Sequence, residues 1–196
     1  MLSNRARLIV KTVVLTLLGA GTIAAIIGLI VFRAGLYNIA ANEQHYPLIY
    51  TVFEEGLQYS IQNHAEDIQV PALGAPAQLL RGAAVYRANC VQCHGAPGVA
   101  PQSQGMSMQP MPGPLADADV NWETRELYWI TRNGIKMSGM PAWEYHLSDS
   151  DIWAVVAFVA AMPTMTPADY RRMTTQQGVT EQAQHAAQTA TEGEDS

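Results

Sequence analysis

Between Thr12 and Phe32 the chain reads TVVLTLLGAGTIAAIIGLIVF, 21 residues without a charged side chain. No other stretch restricts folding as much. A hydrocarbon interior offers no partner for a backbone N–H or C=O, so it admits only structures that satisfy those groups internally. A single such segment must be an α-helix, and about 20 residues cross a hydrocarbon core of roughly 30 Å. The competing reading is a cleaved export signal, whose apolar stretch is about 7–15 residues and ends at a small-x-small site. IAAN at 39–42 would serve as that site, but the run here is longer, which favours a retained anchor. Arg5, Arg7 and Lys11 precede the run and only Arg33 follows closely. Basic residues stay on the cytoplasmic side, so the N-terminus is expected inside and residues 34–196 outside.

Charge completes this picture. Charged residues make up 14 % of the chain, where roughly 25 % is usual for a soluble domain. Four of the 11 basic residues and none of the 17 acidic ones lie in residues 1–33, which leaves the exported part at −10. Nucleic acid is excluded as a partner, because phosphate binding needs clustered Lys and Arg. An acidic exported domain is suited instead to basic docking faces on other proteins.

Beyond the anchor the pattern is helical throughout, with no strand-like alternation. Residues 34–71 form a connector in which PLIYTVFEEGLQYSIQ (47–62) has a proline at a favoured first helical position and apolar residues at helical spacing. It reads as an amphipathic helix near the membrane, either packed on the exported domain, lying at the lipid interface or docked to another membrane subunit. Helices are further predicted at 77–89, at 122–132 with Asn133-Gly134 as the stop, and from a Ser148 N-cap to Pro163. Residues 72–165 are therefore expected to form an all-α domain. Residues 166–196, dominated by Thr, Gln, Ala and acids, read as a disordered acidic tail.

Both cysteines of the chain lie in CVQCH, as Cys90 and Cys93, with His94 directly behind. A thioredoxin-type dithiol wants a βαβ setting, and zinc wants a fourth ligand. C-x-x-C-H is instead the spacing of covalent haem c attachment. Two thiols one helical turn apart match two neighbouring vinyl groups on one porphyrin edge, and the next imidazole reaches the iron from one face. A sixth ligand is sought 46 residues on, in KMSGMPAW, where Met140 stands between Gly139 and Pro141. Met137 is its local rival. His146 is a weaker alternative; His45 and His64 precede the domain, and His185 lies in the tail.

Export, CVQCH, GIKMSGMPAW and the closing DSDIWAVVAFVAAMP resemble a class I, single-haem bacterial cytochrome c in its membrane-anchored form, over residues 78–163. The resemblance implies a small helical domain around one covalent haem c, with thioethers at Cys90 and Cys93, His94 as proximal and Met140 as distal iron ligand. It implies a first and last helix crossing at a glycine–aromatic contact, here Gly82 and Tyr86 against Val155 and Phe158. It also implies a proline carbonyl, from Pro112 or Pro114, on the second N–H of His94. Trp122, Trp129, Arg132 and Trp143 are candidate partners for a haem propionate.

With both axial positions taken, the expected role is single-electron transfer rather than catalysis. The expected placement is the inner membrane, single-pass, with the haem domain on the periplasmic side. The partners would be the membrane, a quinol- or substrate-oxidising enzyme, an oxidase or soluble cytochrome, and the subunits of a membrane complex. The alternatives are a haem-based sensor or peroxidase-like protein in which Met140 is displaced, and an exported copper protein using the soft thioethers of Met106, Met108 and Met111.

Overall fold

The computed structural model describes residues 3–116 and 122–175. It divides into two compact units, one ending at Glu43 and one beginning at Gln44.

The first unit is built on α1 (Asn4–Arg33). Ser3 caps it, its side chain accepting the Ala6 N–H at 3.3 Å, and Arg33 places positive charge at the C-terminal end of the helix dipole. Thr22 returns its hydroxyl to Leu18 O at 2.8 Å, so its polar atom is satisfied inside the helix. None of its residues is buried by protein. The helix is long and apolar enough to cross a membrane.

The second unit contains α2 (Pro47–Ala65), α3 (Pro76–Asn89), α4 (Val91–His94), α5 (Ser103–Met106), α6 (Thr124–Asn133) and α7 (Asp149–Ala161). Among the described residues there is no strand; a lone antiparallel bridge joins Ala96 and Val99. The starts of the four longer helices have recognisable causes. Proline opens α2 and α3, where its missing N–H costs nothing. Ser148 caps α7 by accepting the Asp151 N–H at 3.2 Å. α6 begins two residues later than its sequence suggests, because Glu123 and Glu126 form a reciprocal capping box, with the Glu123 N–H donating to Glu126 Oε2 at 2.7 Å.

The core is the crossing of α3 and α7. Ile152, Val155, Val156 and Phe158 of α7 and Ala83 and Tyr86 of α3 are almost wholly buried. Gly82 makes the crossing possible: a Cβ there would overlap the Ala154 carbonyl oxygen and come within 2.8 Å of Phe158 Cβ. The Tyr86 ring lies 5.5 Å from that of Phe158. Ala154, rather than the expected Val155, is the residue whose backbone fills the space at Gly82. α6 closes one side, with Tyr128 stacked 4.0 Å from Trp153. α2 docks through its last turns, where Ile61 and Ala65 are fully buried, His64 faces Trp129 at 5.6 Å and Arg125 donates to Glu66 O at 3.2 Å.

The folded domain extends past residue 165. Residues 167–175 are helical, Tyr170 and Thr174 are buried, and Arg87 of α3 donates to Thr174 O at 3.0 Å. The boundary expected at 165 therefore moves to at least 175. Burial of Tyr170, with Met173 packed beside it, supplies the apolar contact that a tail of polar composition concealed. Residues 176–196, including His185, lie outside the described part.

Candidate cofactor site

α3 ends at Asn89, and Cys90 is both its last cap and the start of the next turn. The Cys93 and His94 N–H groups both donate to Cys90 O, at 3.1 and 3.0 Å, which winds the segment into one turn. Cys90 and Cys93 are thus one turn apart, half-buried and unbridged. Tyr86 pins the turn to the core by donating to Gly95 O at 2.6 Å. Burial, reinforced by Cys90 nearby, pushes the Tyr86 hydroxyl far above its ordinary range, so it is a fixed donor.

His94 Nδ1 lies 2.9 Å from Gly113 O. A carbonyl oxygen only accepts, so Nδ1 carries the proton and Nε2 keeps its lone pair for a metal. Burial holds the imidazole below its ordinary pKa, against a smaller opposing effect of that hydrogen bond, which favours the neutral ligand form. The expected acceptor was Pro112 or Pro114, and it is the glycine between them.

The loop carrying Gly113 is fastened to the cysteine turn at further points. The Gln102 N–H donates to Gln92 O at 2.8 Å, and Gly105 packs so tightly that a Cβ would stand 2.7 Å from Cys93 Cα.

Met140 is half-buried in a short, internally bonded loop. Ser138 Oγ donates to Ile135 O at 2.8 Å and accepts the Met140 N–H at 3.1 Å, while the Ile135 N–H donates to Met140 O at 3.2 Å. Met137, the rival ligand, has a positive φ of 62° and is 76 % exposed, so its thioether stands in solvent. The other candidates have other engagements. His146 faces Trp143 at 6.0 Å, His45 faces Phe53 at 5.9 Å, and His64 hydrogen-bonds Ser60 O at 2.7 Å. Arg132 pairs with Glu144 at 3.2 Å and donates to the Tyr128 hydroxyl at 3.4 Å.

The donor set fits an iron porphyrin: two free thiols on one turn, a neutral imidazole with Nε2 available, and a half-buried thioether. It fits a zinc site and a reactive dithiol poorly. Among the described residues no group of three or more His, Cys, Asp or Glu side chains is placed to hold a metal ion. Burial, with Cys93 adding to it, pushes the Cys90 thiol up to about 12, whereas thiol–disulfide chemistry needs a lowered thiol pKa.

Residues 77–159 match the family model described as cytochrome c oxidase, cbb3-type, subunit III. The match runs from α3 almost to the end of α7 and takes in the cysteine turn, the Gly113 loop and the Met140 loop. A search of curated proteins found no match.

Proposed function

Given a c-type cytochrome domain at residues 77–159 and a helix able to cross a membrane, we propose that the protein is a membrane-tethered carrier of single electrons. Haem c, when bound, supplies the one-electron iron couple. In this reading Cys90 and Cys93 would hold one haem through thioethers, and His94 Nε2 and Met140 Sδ would ligate its iron. The observation that carries the proposal is the His94 contact: Nδ1 donates to Gly113 O at 2.9 Å, one residue beyond a turn that holds two unbridged cysteines. That hydrogen bond fixes the tautomer and ring orientation and raises ligand basicity.

The chain's own groups then have defined tasks. Cys90 and Cys93 make the cofactor permanent, which suits a domain outside the cell's reducing interior. The Gly113 carbonyl keeps His94 facing the iron. Met140 fills the remaining position, raises the potential and keeps small molecules off the metal. The α1 helix would confine the domain near the membrane, where the effective concentration of membrane partners is high. Arg5, Arg7 and Lys11, in the first turns of α1, support a periplasmic haem domain on the inner membrane.

The family description names an oxidase subunit. It supports electron delivery towards an oxidase, either as a tethered carrier or as the cytochrome subunit of a larger membrane complex. The donor would be a quinol- or substrate-oxidising enzyme and the acceptor an oxidase or a soluble cytochrome. The test is the visible spectrum of the reduced full-length protein with and without carbon monoxide. An unchanged spectrum at neutral pH is expected. A rapid shift would replace electron transfer with ligand sensing or peroxidase-like chemistry. Purification from the native membrane in mild detergent, with identification of co-purifying chains, separates a free carrier from a complex subunit.

A further inference from the structure

Three methionines stand in GMSMQPM, and they are not equivalent. Met106 is 58 % exposed and Met111 57 %, while Met108 is half-buried. The Met108 side chain lies against Gly139, the residue before Met140. A Cβ added at Gly139 would stand 3.0 Å from Met108 Cε and 3.3 Å from its Cγ, and would overlap Sδ outright. Gly139 does not have a positive φ. A side chain at Gly139 would therefore have to displace the flexible end of Met108, which now rests in that space.

This contact joins two loops with different duties. The loop of Met108 supplies the Gly113 carbonyl to His94 and is fastened to Cys93 through Gly105. The loop of Gly139 presents Met140. Met140's own loop is held by short-range bonds to Ser138 and Ile135, which shape the loop but do not tie it to the His94 side.

We propose that Met108 is a positioning residue for the distal ligand: it clasps the Met140 loop to the His94 loop by packing its thioether into the space left at Gly139. The inference rests on Met140 as the sixth ligand and deepens that reading. A flexible, polarisable side chain suits the task, because it fills an irregular gap between two loops without polar demands. Removing it leaves Met140 chemically intact but its loop free to swing, so an external ligand competes more easily for the iron.

The experiment is titration of the oxidised full-length holoprotein with imidazole, read by loss of the methionine–iron charge-transfer band. Met108→Ala is expected to bind imidazole about tenfold more tightly than wild type, equivalent to 1.4 kcal/mol of lost positioning. Met108→Leu, which keeps the bulk, should restore near-wild-type affinity. Met106→Ala and Met111→Ala should change nothing. Gly139→Ala should weaken the native ligation less than Met108→Ala does, because the flexible end of Met108 can shift aside, and the pair Met108→Ala with Gly139→Ala should be no weaker than Met108→Ala alone, because the new methyl enters the vacated space. Wild-type imidazole affinity in Met108→Ala, or additive effects of the two substitutions, overturns the clasp while leaving Met140 as ligand. A wild-type holoprotein without the charge-transfer band overturns the ligation itself, and the clasp with it.

Discussion

The α3–α7 crossing and the two loops that carry Gly113 and Met140 are held by different forces. The crossing is an apolar contact of two backbones. Gly82 lies against the Ala154 carbonyl, and around it Tyr86, Phe158, Ile152 and Val155 are nearly inaccessible to solvent. The loops are held by a few polar contacts and close packing, among them Gly113 O on His94, Ser138 on Met140 and Met108 on Gly139. Burying a large aromatic or aliphatic side chain contributes about 1.5–3 kcal/mol, whereas one hydrogen bond contributes about 0.5–1.5 kcal/mol. The helices should therefore set whether the domain folds, and the loops should set what potential and ligand access the iron has.

Substitutions separate the two roles. Phe158→Ala is expected to have the largest effect on folding, a loss of about 3–5 kcal/mol in denaturant unfolding of the holoprotein, because a wholly buried ring is removed from the crossing. Gly82→Ala follows at up to about 3 kcal/mol, since the added methyl meets a backbone carbonyl that cannot step aside. In both variants the protein that does fold should keep the wild-type midpoint potential. Met140→Ala should do the reverse. The helical far-ultraviolet signal persists with a smaller stability loss than either core variant, while the potential falls and the reduced protein now binds carbon monoxide. A Phe158→Ala protein with an altered potential, or a Met140→Ala protein that fails to fold, would erase the distinction.

The smallest effect belongs to the surface pair Arg81–Asp151, 2.7 Å apart, with Arg81 55 % exposed. Arg81→Ala should cost at most about 1 kcal/mol at neutral pH and less at high salt. Hydrogen bonding from Arg81, foremost among several contacts, holds the Asp151 carboxyl below its ordinary range. A depressed folded-state value means that the pair stabilises fully above the unfolded carboxylate pKa of about 3.9. That contribution disappears as pH falls through the lower folded value. The difference in stability between wild type and Arg81→Ala should therefore shrink on acidification below about pH 4.

How far these regions could be read in advance follows the same division. The crossing left a strong trace in the sequence, because burial selects residue types at helical spacing, and a glycine four residues before a tyrosine is unusual inside a helix. Cys90, Cys93, His94 and Met140 stood out in the sequence because the chemistry proposed for them is carried by side chains. The Gly113 carbonyl was not, since every residue owns one and only the fold decides which is presented. The start of α6 was missed because Glu123 is an uncommon N-cap that works here only through its partner Glu126. The helix at 167–175 was missed because Tyr170 and Met173 stand among polar residues, and only contact with the body of the domain reveals their burial. Met108 could be singled out from Met106 and Met111 only by the three-dimensional position of Gly139.

The most direct test is the intact mass of the purified, acid-denatured full-length chain, alongside a Cys90→Ala, Cys93→Ala double variant. Covalent attachment through this turn predicts a wild-type mass equal to the polypeptide plus one haem, no thiol open to alkylation, and bare polypeptide in the variant. A wild-type chain at polypeptide mass with two alkylatable thiols would contradict it.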